Sequence, residues 1–294
     1  MPSAISLVLC FLATATPVET ISAPVHARCL AVLHEALAEG KEWVKVHAAE
    51  SLIWTGNPES VRDVFLKELP GAWPKYRIGV WRVLAQAAPD QAERQQYEDK
   101  ILAALLDSQG PDRQHAAETL GKLGVSSHDP AVQRLAATET GAFQSMAQWV
   151  LANGLGESDE ARLAELLASN NADTRGCAAY ALRFFKQIRP STLEKLEAAA
   201  NKESLDSPWR CNILSPWYLH APAAKRPAIR AQLLEYAERG NKDEKRELCA
   251  ALGRLPNAED IPVLIRLLDD PDLDARAGAA EALLRIERER KPNR

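Results

Sequence analysis

The stretches that decide the fold are Val46-His-Ala-Ala-Glu-Ser-Leu52, Gln114-His-Ala-Ala-Glu-Thr-Leu120 and Ala277-Gly-Ala-Ala-Glu-Ala-Leu283. They are copies of one phrase. Weaker copies lie between them: Ile78-Gly-Val-Trp-Arg-Val-Leu84, Gln144-Ser-Met-Ala-Gln-Trp-Val150, Gly176-Cys-Ala-Ala-Tyr-Ala-Leu182 and Glu247-Leu-Cys-Ala-Ala-Leu252. The closing apolar residues, Leu52, Leu84, Leu120, Val150, Leu182, Leu252 and Leu283, are spaced by 32, 36, 30, 32, 70 and 31 residues. The double gap predicts a degenerate copy near Leu214. A helical phrase recurring at this period is the signature of an all-α solenoid, in which each helix pair buries its apolar face only against its neighbours. The expected fold is an α-solenoid of about eight helix pairs, an architecture that argues against a conventional pocket enzyme.

The bulk composition agrees. Hydrophobic residues make up 46% of the 294-residue chain, enough for a continuous core. The formal net charge of −4 lacks the concentrated basic face that phosphate neutralisation requires, so nucleic acid is not an expected partner. Ser3 to Ala15 is apolar or small and too short to span a bilayer. It has the length of a signal-peptide apolar region, and Ala13-Thr14-Ala15 offers a small-residue cleavage site, although no Lys or Arg precedes it. Residues 1–23 are therefore expected to be leader and linker and 24–294 the solenoid. The protein is expected to be exported or periplasmic, and otherwise cytoplasmic. Of five cysteines, Cys177, Cys211 and Cys249 occupy positions where other copies carry small residues. No Cys/His spacing suits zinc. One disulfide between neighbouring rungs is open for an exported chain.

Apolar periodicity predicts an amphipathic opening helix over Ala27–Ala38. First helices are expected near residues 48, 80, 116, 146, 178, 212, 248 and 279, with shorter second helices between them. The eighth copy has no second helix in the sequence. Its polar end, Ile286 to Arg294, reads as a terminal cap. Pro216 falls within the sixth first helix and is expected to kink or end it.

Two copies carry a wider pattern: Asp270-Pro-Asp-Leu-Asp-Ala-Arg-Ala-Gly-Ala-Ala-Glu-Ala-Leu-Leu284 and Asn171-Ala-Asp-Thr-Arg-Gly-Cys-Ala-Ala-Tyr-Ala-Leu182. The acidic turn, helix-start Arg, Ala-Ala pair and closing Leu resemble the HEAT-repeat superfamily, in its bacterial phycobilisome-lyase-like subgroup. The resemblance covers nearly all of the chain after residue 40. It implies a scaffold or adaptor, with a few enzymes known on the same fold. One such enzyme class, deoxyhypusine hydroxylase, uses several adjacent His-Glu pairs; this chain has only His34-Glu35, so that activity is not implied.

At 100° per residue, Ala48, Ala49 and Leu52 share the core face of the first copy, with Lys45 and Gly56 at its ends. His47, Glu50, Ser51 and Trp54 take the opposite face, which is expected to be a narrow solvent strip. The Glu50 position reads Glu50, Arg82, Glu118, Gln148, Tyr180, Asn212, Ala250 and Glu281 from copy to copy. One reading is a row of exposed inter-rung ion pairs contributing roughly 0–1 kcal/mol each. The other is a recognition strip of His47, Glu50, Trp54, Trp81, Arg82, His115, Glu118, Trp149 and Tyr180, since Trp and Arg are typical interface anchors. The C-terminal copies place Ala250 and Arg254 at the Glu50 and Trp54 positions, so contact is expected along the N-terminal half. His47 and His115 lie two rungs apart, about 16–20 Å, too far to share an ion. No catalytic residue, cofactor or metal is expected. The function expected is a monomeric, non-catalytic protein-binding scaffold without a stable membrane span. The alternative is an enzyme or accessory factor acting on a ligand in the solenoid groove.

Overall fold

The computed structural model describes residues 21–127, 129–153 and 160–290. The proposed leader and its cleavage site lie outside these residues. The described chain is helical throughout, and none of its helices is long and apolar enough to cross a membrane. The helix pairs fall where the phrase places them. The first helices are α2 (Trp43–Thr55), α4 (Pro74–Gln86), α6 (Arg113–Leu123), α8 (Gly141–Ala152), α10 (Ala172–Leu182), α12 (Arg210–His220), α15 (Lys242–Arg254) and α17 (Leu273–Arg290). Between them run α3 (Val61–Glu68), α5 (Gln91–Leu106), α7 (Pro130–Thr138), α9 (Glu160–Leu166), α11 (Pro190–Lys202), α13 and α14 (Arg226–Leu234 and Tyr236–Arg239) and α16 (Ile261–Leu267). The opening helix is α1 (Ala23–Glu39).

Local chemistry sets the boundaries. Asp90 and Asn171 accept hydrogen bonds from the backbone amides of Glu93 and Thr174 at the starts of α5 and α10. Asn241 and Glu244 form a reciprocal capping box on α15. The closing residues Leu52, Leu84, Leu120, Val150, Leu182, Leu252 and Leu283 are fully buried, and so is Leu214 of the degenerate sixth copy. Of the two outcomes expected at Pro216, a kink or an end, the helix does not end there: α12 continues through this buried residue to His220. α12 packs on α10, α11, α13 and α15, and this packing offsets the loss of one backbone donor. Cys29, Cys177, Cys211 and Cys249 are all buried free thiols, which leaves no inter-rung disulfide among them.

The solenoid does not stay open. Each first helix packs on the next, and α17 packs on α2, completing a circuit of eight. Closing eight units implies a turn of about 45° per repeat. α1 packs on both α17 and α2, the place a second helix following α17 would take. The seam reproduces an internal contact of the repeat. Within the chain, a base near the start of a first helix pairs with an acid beyond its own second helix: Arg77 with Asp112 at 2.7 Å, Arg175 with Glu203 at 2.8 Å, and Lys245 with Asp270 at 2.6 Å. On α17 Arg276 pairs at 2.6 Å with Glu35, inside the last turns of α1, much as Lys45 of α2 pairs at 2.7 Å with Glu68 in the last turn of α3. The eighth copy therefore has its second helix at the other end of the chain. This overturns the reading of its end as an uncovered cap: Leu283, Leu284 and Ile286 are buried, and His26 bonds Glu287 at 2.6 Å across the seam.

Candidate functional site

Closure decides where the non-core face of the first helices points. Eight helices on a ring at 8–10 Å spacing enclose a bore of roughly 16–21 Å between backbones, before side chains are added. The face expected to meet solvent therefore turns into a lumen. Side chains fill it except for a chamber of about 290 Å³ and an adjoining vestibule of about 410 Å³. His47, Glu118 and Lys122 border both. The first helices all run the same way round the ring. The vestibule opens among their N-terminal ends, by Trp43, His115 and Lys242, while Trp54, Lys122, Phe184 and Arg254 lie at their C-terminal ends.

The candidate residues are distributed as follows. His47, Glu50, Trp54, Glu118 and Tyr180 line the chamber. Arg82 and His115 face the vestibule. Trp149 is core, at 1% exposure, with its ring against Gly121, where even a β-carbon would approach to 2.4 Å. Trp81 borders neither space; it is half-buried beneath the Arg77 guanidinium. The three tryptophans thus do not form one strip. The lining also draws on the C-terminal copies, through Asn212, Arg246, Glu247, Ala250, Arg254 and Glu281.

The lumen carries a dense polar network, and its pairs are not the exposed ladder expected. Arg82 donates to Glu50 at 2.9 Å and to Thr119 at 3.2 Å, and both Arg82 and Glu50 are 1% exposed. Gln86 donates to Glu50 at 2.9 Å and accepts from the Trp54 indole at 2.8 Å. Other bonds skip a helix and cross the bore. Tyr180 on α10 donates to Glu118 on α6 at 2.9 Å. Arg183, just past α10, donates to Glu247 on α15 at 2.5 Å. Trp43 on α2 stacks on His115 of α6 at 5.1 Å. Long side chains thus bring elements two rungs apart into contact.

These pairings set the charge states. Burial pushes the Glu118 carboxyl up, but Lys122 at 2.9 Å, the His115 ring and Arg82 outweigh it and hold it well below its usual range. Glu50 is likewise held low, because Arg82 and Lys122 overcome the cost of burial. Burial and then Glu118 push Tyr180 well above an ordinary phenol. Burial and then Arg82 bring the Lys122 ammonium below its usual value, against the pull of Glu118 and Glu50. Among the described residues no group of three or more His, Cys, Asp or Glu is gathered to hold a metal ion. The His47 ring instead bonds Asp274 at 3.0 Å across the seam.

The burial of His47 at the seam makes the protein acid-sensitive. Burial, reinforced by Arg246, pushes His47 below its ordinary imidazole value, and the bond to Asp274 opposes this without prevailing. The unfolded chain then takes up a proton that the folded ring resists. The resulting stability is complete above pH 6.5 and is lost as pH falls from there through the folded value. Burial would raise Asp274, but Arg246 and His47 bring it down to about 2, so its own contribution is lost only below about pH 3.8. The melting temperature is expected to fall between pH 7.5 and 5.5, and His47→Gln should flatten that slope. Thermal melts of both proteins across the range check it; equal slopes would remove His47 as the cause.

Sequence reasoning missed Lys122, Arg183, Arg246, Glu247 and Arg285 as lumen groups. The i, i+4 run Arg246, Ala250, Arg254 was a usable signal, since it continues the Glu50 position by one turn in each direction. In comparisons with known proteins, no curated protein matches the chain. Residues 230–293, from within α13 through α17, match the family model for HEAT repeats. That segment is similar to HEAT repeats, and the same helix-pair plan is carried round the rest of the ring.

Proposed function

We propose that the protein is a non-catalytic binding protein that recognises a protein partner through the lumen of its ring. On this reading the partner does not lie along an open groove. It inserts a narrow element, a chain end or a single side chain, while its body rests on the rim. The observation that carries this is the chamber itself: an opening of about 290 Å³ lined by charged and aromatic groups in fixed pairs. HEAT repeats are commonly interaction scaffolds, which supports the partner being a protein. The likeness to the phycobilisome-lyase-like subgroup belongs to this proposal for architecture only and assigns no chemistry.

The test is to plug the bore. Ala250 is partly exposed and lines the chamber on α15. Ala250→Trp should fill much of the opening and abolish capture of the partner that the wild-type protein retains from extracts of its own cells. Lys225→Glu, on the outer surface, should not. Matching circular dichroism spectra and melts would show that the ring is intact. Undiminished capture by Ala250→Trp would place recognition elsewhere and end the lumen reading.

A further inference from the structure

We propose that the chamber contains a carboxylate-binding site centred on Arg254, flanked by Arg183, Arg285 and the ring of Phe184. This rests on the lumen being the binding site and names the chemical group it admits.

Among the described residues, one cation of the chamber wall has no ionic partner. Of the arginines and lysines that line the chamber, Arg246 pairs with Asp274 at 3.0 Å, and its neighbours are paired in the same way. Arg82 pairs with Glu50, Lys122 with Glu118, Arg183 with Glu247, and Arg285 with Glu281 at 2.8 Å. Arg254 has no ion pair among the described residues. Its single hydrogen bond runs from Nη1 to the backbone carbonyl of Arg183 at 2.5 Å. That carbonyl, at the C-terminal end of α10, offers a partial negative charge and no more. A guanidinium has five donors in a planar fork, so the rest of the fork is available to a ligand.

The surroundings make this an unfavourable place for an idle cation. Arg254 lies 4.7 Å from the centroid of Phe184, and the Arg183 guanidinium lies 4.8 Å from the same ring. Burial first, then repulsion from Arg183 and Arg285, bring Arg254 down to about 10. Glu281 and Glu247 act the other way, and the side chain is only partly buried, so the unused part of its fork is open to a ligand in the chamber.

The missing partner has a definite chemistry. One uncompensated positive charge calls for one negative charge, and the fork of a guanidinium matches the two oxygens of a carboxylate. A phosphate dianion would overshoot the balance. Phe184 and the indole of Trp54, over which Arg285 lies at 5.2 Å, supply apolar surface beside the charge. The structure thus favours a carboxylate borne on a small or narrow apolar group. Such a group is either the C-terminus of a partner chain or a free organic acid.

The experiment uses thermal melts of the full chain with millimolar sodium benzoate, inorganic phosphate, and a short Gly/Ser hexapeptide ending in phenylalanine, with its carboxyl either free or amidated. Benzoate or the free peptide should raise the wild-type melting temperature by a few degrees, as expected for a ligand that binds only the folded state. Arg254→Gln should abolish that rise while melting no lower than wild type without ligand, because it removes an unneutralised charge. A rise with the free but not the amidated peptide identifies a chain end, and a rise with benzoate alone identifies a free acid; both uphold the carboxylate site. No rise with any carboxylate overturns the proposal. So does a rise that persists in Arg254→Gln, or a larger rise with phosphate than with benzoate. If Ala250→Trp abolishes partner capture and no carboxylate binds, the Arg254 site falls and the lumen reading survives. If carboxylates bind through Arg254 and capture survives the plug, the converse holds.

Discussion

Truncation after Asp272, removing α17, should abolish cooperative folding. In an open solenoid, deleting a terminal repeat costs that repeat and one interface, and the rest stays folded. Here α17 is the keystone of a ring, packed on α1, α2, α15 and α16. Leu283, Leu284 and Ile286 are buried in these contacts. At roughly 1.5–3 kcal/mol for each large side chain, those three alone account for about 5–9 kcal/mol. The faces of α1, α2 and α15 that pack on α17 would lose cover as well. The total is on the order of 10 kcal/mol, comparable to the whole stability of a typical domain, about 5–15 kcal/mol. The seam bonds Ser51–Glu281 at 2.7 Å and Arg288 to the Trp54 carbonyl at 2.7 Å would vanish with it. The truncated protein should show a broad, non-cooperative melt by circular dichroism and rapid proteolysis. A sharp transition within a few degrees of the full chain would mean that closure adds little.

That keystone role was not legible in the sequence, and the reason is physical. Periodicity is local: it reports which residues of a helix are buried, and the placement of each first helix follows from it. Closure depends on a small rotation per repeat accumulated eight times, which no single phrase encodes. Ser51 illustrates the gap. The helical wheel places it on the solvent face of α2, yet it is fully buried, because α2 has a neighbour on both sides. The second helix of the eighth copy went unrecognised because α1 lies far back in the chain, with Glu35 241 residues before the Arg276 it meets. The polar ladder was visible as a pattern, but its environment was not. The same row of Glu50, Arg82 and Glu118 would be a solvated face on an open superhelix and is the wall of a lumen on a closed one. Arg254 was legible only as the loss of an aromatic residue at the Trp54 position; its meaning appears once the ring brings Arg183 and Arg285 beside it.

Arg82→Met should be among the most destabilising single changes in the protein, at about 3–5 kcal/mol, the range for removing one partner of a buried ion pair. Methionine keeps most of the length and the apolar stem, so the loss is mainly of charge and donors. What remains is Glu50, 1% exposed, with only Gln86 donating to it and Lys122 acting at longer range. Thr119 also loses its bond. In the wild-type protein, burial raises the Glu50 carboxyl, and Arg82 is the largest of the influences that bring it below its ordinary value. Without Arg82 that balance tips toward burial, and the folded carboxyl moves upward. The variant's folded state then takes up a proton more readily than its unfolded state, so its deficit relative to wild type should shrink as pH falls from 7.5 to 5. Adding Glu50→Gln should recover much of the loss at pH 7.5, since a neutral amide needs no counter-ion. Urea unfolding of the two variants at both pH values provides the measurement. A deficit under about 1 kcal/mol, typical of an exposed pair, or one unchanged by pH, would show that water reaches Glu50 and that the lumen wall is wetter than its packing implies.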